Sequence, residues 1–109
     1  MPSLYAQYIL EREGKHILET ERGFATYSIL GAEVYVQDIY IKPEHRKSGE
    51  AAAMTDCIAI IAKEKGCKVM TGTVCPSTNG STDSLKALLA YGFRLMKASQ
   101  DFIVLIKEI

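Results

Sequence analysis

Six consecutive residues, Arg46, Lys47, Ser48, Gly49, Glu50 and Ala51, join an apolar extended run to an apolar helical run, and they combine two cations with a glycine and a small residue. The N-terminus of a helix presents backbone N–H groups without intrahelical partners and the positive end of the helix dipole, so such a junction suits a phosphate group. Gly49 removes the Cβ that would hold an anion away from the backbone, and the small Ala51 permits a similar approach on the first turn. Arg46 and Lys47 place positive charge at the mouth. Nucleotide phosphate loops require Gly-Lys-Ser/Thr at the helix start, and Gly49-Glu50-Ala51 is not that. A solvated turn that binds nothing is the alternative reading of the same residues.

Groups for acid–base or nucleophilic chemistry are few. Asp38 and Tyr35 lie on the preceding strand, and Glu33 comes just before it. Asp38 is the candidate general base, although its alternation with apolar neighbours fits a satisfied structural or bulge residue better. Cys75 ends the following strand with no base marked beside it, so an inert buried thiol is the expected state. His45 reads as an exposed loop residue and His16 as structural. Cys57, Cys67 and Cys75 contain no C-x-x-C, and with His16 and His45 as the available partners no metal site is expected. Asn79-Gly80-Ser81 matches a glycosylation sequon, which has no meaning in a cytosolic chain.

The elements that must position these residues follow from periodicity. Residues 4–12 read as a short helix with Leu4, Tyr8 and the stem of Arg12 on one side, interrupted by Gly14. Residues 16–20 and 24–30 read as strands around a turn at Glu21-Arg22-Gly23, and residues 34–41 as a third, antiparallel to the second. On that third strand strict alternation puts Val34, Val36 and Tyr40 on one face and Tyr35, Ile39 and Ile41 on the other. Pro43 ends it. Residues 49–65 read as a helix with Met54, Ile58 and Ile61 on the inner side, stopped by Gly66, and residues 67–74 as a strand reached by a right-handed crossover. Thr82 or Asp83 caps a second long helix running to Tyr91, with Leu85, Leu88 and Leu89 inward and Gly92 as its stop. Residues 93–98 and 102–107 form a closing hairpin. The order is α+β, a mostly antiparallel mixed sheet with flanking helices, within a single domain over residues 1–109.

Arg46-x-x-Gly49-x-Ala51 resembles the Q/R-x-x-G-x-G/A signature of the GNAT family of acetyltransferases. Upstream, Ile39-Tyr40-Ile41-x-Pro43 looks like the end of that family's cofactor strand, and Leu88-Leu89-Ala90-Tyr91-Gly92-Phe93 looks like its helix ending in Gly-Phe. The resemblance covers residues 14–109. It implies an N-acetyltransferase using acetyl-CoA, with the amides of Arg46 to Ala51 on the pyrophosphate. Ile39, Tyr40 and Ile41 would lie along the pantetheine arm, an amide near Ile39 serving as oxyanion donor. The family's asparagine contact falls at Ser81. Its proton-donating tyrosine falls at Leu88, which leaves the general acid unassigned, and Tyr91 is on a different side of the helix. Cys75 would stand near the thioester. Glu50 occupies a position that the family fills with an apolar or aromatic residue, and its carboxylate is expected to point outward. A binding module that holds acyl-CoA without turnover is the alternative function.

Thirteen basic and thirteen acidic residues balance, against the strongly basic character of nucleic-acid binders. Neither a membrane span nor a leader pattern at Met1-Pro2-Ser3 is expected, which points to a cytoplasmic protein. The short stretch before His16 implies an open acceptor side, suited to an amine on a protein or peptide. The apolar run Phe102-Ile103-Val104-Leu105-Ile106 is expected to need cover from a second copy, making a homodimer.

Overall fold

The computed structural model describes residues 3–109; Met1 and Pro2, part of the stretch read for a leader, lie outside the described residues. The first element is α1 (Leu4–Glu13), capped by the Ser3 hydroxyl, which accepts from the Ala6 N–H, and ended by Gly14 in the left-handed region at φ 69°. Then follow β1 (His16–Glu19), β2 (Gly23–Leu30) and β3 (Glu33–Ile41). A short 3₁₀ turn, Pro43–His45, leads to α2 (Glu50–Glu64), β4 (Val69–Val74), α3 (Ser81–Tyr91), β5 (Arg94–Ala98) and β6 (Ile103–Glu108). The six strands form one sheet in the order β1-β2-β3-β4-β6-β5, antiparallel except where β3 meets β4. That parallel pair flanks α2, as a strand–helix–strand crossover requires.

A single apolar cluster binds the elements on one face of the sheet. Ala25, Tyr27, Val34, Val36, Met70, Val74 and Leu105 from the strands meet Met54, Ile58 and Ala62 of α2, with Leu85 and Leu88 of α3 at its border. Each fully buried side chain of the Ile58 or Leu105 size contributes about 1.5–3 kcal/mol. His16 sits at the rim of this face, stacked on Tyr27 at 5.0 Å, and partial burial with the nearby Lys65 charge lowers its pKa, in keeping with a structural residue.

Four expectations change. The face assignment along β3 fails after Val36, because Thr26 pairs with Asp38 and Tyr27 with Val36, leaving Gln37 as an extra residue in a bulge. One inserted residue reverses the alternation. Ile39 and Ile41 therefore join Val34 and Val36 on the core side, while Tyr40 and Asp38 join Tyr35 on the outer side. In α1 the buried residues are Ala6 and Ile9, and Leu4 stands 84% exposed. In α3 Leu89 is exposed, and the N-cap is Gly80 rather than Thr82 or Asp83. The apolar strand β6 lies between β4 and β5 and is not an edge, so the argument for a second copy covering it does not hold. The edge at that end of the sheet is β5, whose five residues are all exposed.

Candidate functional site

The loop leaves β3 through two interactions of Arg46. Its Nε–H donates to the Ile41 carbonyl at 2.8 Å, and its guanidinium lies 5.4 Å from the centre of the Tyr40 ring. Tyr40 in turn stacks on Phe24 at 5.7 Å. The cation is therefore held by the strand end it follows. Lys47 at φ 62° and Gly49 at φ 86° then turn the chain into α2 through the left-handed region, and the Ser48 hydroxyl donates to the His45 carbonyl. The first bond across the helix start runs from the Ala53 N–H to the Gly49 carbonyl at 3.0 Å. The N–H groups just before it are those that helix geometry leaves for an anion. A Cβ built on Gly49 would meet nothing within 4 Å, so the space over this turn is open. The Glu50 carboxylate pairs with the exposed Arg22 of the β1–β2 turn. That pairing offsets a negative charge beside the helix start.

The second feature is a split in the sheet. β3 and β4 pair only over Glu33–Val36 and Val69–Gly72, although β3 continues to Ile41 and β4 to Val74. Beyond Val36 and Gly72 the parallel strands part, and β4 stays paired with β6 as far as Val74. Ile39, Tyr40 and Ile41 thus border an opening that begins at the Gln37 bulge and ends at the loop. On the helix face the Leu88 methyls lie 3.7 Å from where a Gly72 Cβ would be. On the outer face the Tyr35 hydroxyl meets the Thr73 hydroxyl at 2.7 Å across the two strands.

The remaining candidate groups separate cleanly. Asp38 lies on the outer face, exposed, and accepts from the Thr26 hydroxyl at 3.1 Å while its own N–H donates to the same oxygen. This side-chain bridge completes the bulge, which is the structural role its alternation suggested. The Ser81 hydroxyl donates to the Pro76 carbonyl at 3.0 Å and closes the loop before α3. Cys75 is exposed, contrary to the buried thiol expected. Hydrogen bonds from Ser77 and Thr78 lower its pKa, and those neighbours are hydroxyls, not a base. Among the described residues no group of His, Cys, Asp and Glu could hold a metal ion.

Tyr91 serves α3 and α2 rather than the opening. Its hydroxyl donates to the Asp56 carboxylate, its ring lies 5.9 Å from Phe93, and burial together with that carboxylate pushes its pKa up to about 12. A phenol so tightly held is a poor proton donor. For the acetyl transfer that the resemblance implies, Tyr91→Phe is expected to stay within a few-fold of the parent, where loss of a working general acid costs about a hundredfold or more. Steady-state kinetics of the purified variant checks this, and a loss of that size in a folded variant would contradict the assignment.

A groove of ≈ 630 Å³ runs along the outer face between α1 and the strands, and it reaches Ile39 at the split. Among the described residues, Glu13, Glu19 and Asp38 line it against the one ammonium of Lys15, which pairs with Glu13 at 3.2 Å. Tyr5, Phe24 and Tyr40 supply rings. The sequence held no signal for this groove, nor for the Arg22–Glu50, Tyr35–Thr73 and Tyr91–Asp56 pairs, whose partners stand 28, 38 and 35 residues apart.

The sheet is thus mixed and split between its parallel central strands, with a glycine turn opening the crossover helix beside the split. The Acetyltransferase (GNAT) family profile matches residues 4–93, and the chain belongs to that family. A thialysine N-epsilon-acetyltransferase of Bos taurus is 34% identical over 58 residues, which is 53% of this chain and 34% of that protein. The PaiA N-acetyltransferase of Thermoplasma acidophilum, solved in complex with coenzyme A, superposes with a TM-score of 0.72 at 17% identity. That superposition covers 81% of this chain and 54% of that one. A Bacillus subtilis acetyltransferase, also solved with CoA, gives a TM-score of 0.72 at 15% identity over 96% of this chain and 82% of its own. The match to the bovine relative thus spans about a third of that protein's length.

Proposed function

We propose that this chain is an acetyl-CoA-dependent N-acetyltransferase acting on a primary amine of a protein or peptide in the cytoplasm. The observation that carries the reading is the alignment of the split at Gln37–Ile41 with the open glycine turn at Gly49. The residues present fit acetyl-CoA: an uncluttered cradle of helix-start amides for its phosphates, and a strand edge without a β-sheet partner for its arm. Lys47, Ser48, Gly49, Glu50 and Ala51 would hold the pyrophosphate through backbone amides, with Arg46 adding charge. Ile39, Tyr40 and Ile41 would hold the arm by their backbone, and an amide near Ile39 would stabilise developing negative charge. Bound acetyl-CoA supplies the activated acetyl group. The chain's own contribution is to bring the amine into line and to exclude water from the approach.

The groove that meets the split supports a cationic acceptor, since its carboxylates outnumber its ammonium and its rings favour cations. A lysine-rich peptide carries both the reacting amine and further charge. The three cysteines stand free, which suits a reducing compartment. Among the described residues no helix is long and apolar enough to cross a membrane. Self-association is assigned to the exposed edge β5, where Leu95 and Met96 face solvent. The test is chain-dependent release of CoA thiol on mixing acetyl-CoA with a lysine-rich peptide, and no release with its acidic counterpart. Leu88 at the position that the family fills with tyrosine favours the second reading, a module that binds acyl-CoA without turnover. Such a module binds CoA and releases no thiol.

A further inference from the structure

We propose that Tyr35, paired with Thr73, is the proton-handling group of the split; the proposal rests on the acetyltransferase reading and deepens it. Tyr35 pairs in register with Thr71, and Val36 with Gly72 is the last parallel pair before the strands part. The Tyr35 side chain reaches one step beyond that pair, and its hydroxyl meets the Thr73 hydroxyl at 2.7 Å. The two oxygens therefore span the gap at its apex, on the outer face that the groove also borders. The pair is partly buried, so its hydrogen bond is not readily exchanged for water.

Other groups near the split are engaged elsewhere or lack a proton to give: the Cys75 thiol is hydrogen-bonded with the Ser77 hydroxyl at 3.3 Å and the Ser81 hydroxyl donates to the Pro76 carbonyl. Leu88 closes the helix face with methyl groups. The Tyr91 hydroxyl is committed to Asp56 on α2, and the Asp38 carboxylate to Thr26 on the outer face. The Glu33 carboxylate accepts from the Thr71 hydroxyl at 2.6 Å, at the paired end of the strands.

The reaction's balance suits a hydroxyl pair. The acceptor ammonium first loses one proton to solvent; the neutral amine then forms a C–N bond as the C–S bond breaks, the nitrogen giving up one further proton and the sulfur taking one, with no further reactant needed. Each hydroxyl both donates and accepts, and in this pair either oxygen can be the donor. The pair can therefore deliver a proton on one side as it receives one on the other, ending unchanged. A single apolar residue such as Leu88 cannot do this.

Tyr35→Phe keeps the ring and removes the oxygen. The expected result is a fall of about a hundredfold in kcat for transfer to a lysine-rich peptide. The KM for acetyl-CoA and the thermal shift produced by CoA stay at the parent's values. Thr73→Val loses a similar factor, Thr73→Ser regains most of it, and the Tyr35→Phe/Thr73→Val double variant loses little more than either alone. The solvent deuterium effect on kcat, present in the parent, changes in Tyr35→Phe, a response that a packing role would not give. A folded Tyr35→Phe variant with kcat within a few-fold of the parent overturns the proposal and leaves the acetyltransferase reading standing. So does a Tyr35→Phe loss confined to CoA binding, or a Thr73→Ser variant as poor as Thr73→Val. A parent that binds CoA and releases no thiol overturns the acetyltransferase reading, and this proposal with it.

Discussion

Gly49→Val is expected to abolish the thermal stabilisation that CoA, on the proposed reading, gives the parent. Two effects act together at this residue. Gly49 adopts φ 86°, where a β-branched side chain is strained by about 1–2 kcal/mol, and its missing Cβ leaves the turn open with no atom within 4 Å. A valine there fills the approach to the helix-start amides with an isopropyl group. For the parent, ligand at about one hundred times its Kd stabilises by about 2.7 kcal/mol, a shift on the order of 10 °C in a chain of this size. The variant starts at a lower Tm because of the strain and gains nothing on adding CoA. Gly49→Asn separates the two causes, because asparagine tolerates the left-handed conformation while still adding atoms over the turn. Its Tm without ligand stays near the parent's, while the CoA shift shrinks. An undiminished shift in Gly49→Val, read by differential scanning fluorimetry, would place the cofactor elsewhere.

Among the glycines, Gly23→Ala is expected to have the largest effect on stability. A Cβ on Gly23 would lie 2.0 Å from the Tyr40 carbonyl oxygen and 2.9 Å from the Ile41 Cα, and both are backbone atoms that no rotamer change can move. Gly23 pairs with Ile41 at the last rung of the β2–β3 ladder, and the Lys42 N–H donates to the Arg22 carbonyl at 2.7 Å just beyond it. Relief therefore requires the ladder's end to open, at the point from which the Arg46–Ala51 loop departs. The cost is about 3 kcal/mol, the upper end of overpacking, which lowers the Tm by on the order of 10–20 °C. Residual folded protein should also bind CoA more weakly, because Ile41 carries the carbonyl that holds Arg46. Urea denaturation gives the stability directly. A loss below about 0.5 kcal/mol, the range of ordinary surface changes, would show that the strand end yields freely.

The elements were legible because each has a local cause. The stops at Gly14, Gly66 and Gly92 and the apolar spacing of Met54 and Ile58 all act within a few residues, whereas the Ser3 cap of α1 was not read from the sequence. The parallel meeting of β3 and β4 followed from the crossover through α2, and the turn into α2 from Gly49 at a helix start. What stayed hidden depends on pairing between distant residues. The bulge at Gln37 exists only because Thr26 and Tyr27 pair with Asp38 and Val36, and it exchanged the faces of Tyr40 and Ile39. The central place of β6 depends on its partner β4, more than two dozen residues away, which the hairpin pattern alone does not specify. Glu50 looked like a repulsive charge until Arg22 was found beside it. The Tyr35–Thr73 bond and the groove under α1 have no sequence periodicity at all.

The measurement that tests the central claim most directly is the stoichiometry of acetyl transfer by the purified chain from acetyl-CoA to a lysine-rich peptide. Thiol release is followed with a thiol reagent, and the peptide is weighed by mass spectrometry in the same samples. The account predicts one acetyl group on peptide nitrogen for each thiol released, both abolished by Gly49→Val and both retained in Tyr91→Phe. Thiol release without a heavier peptide, or turnover undiminished in Gly49→Val, would contradict it.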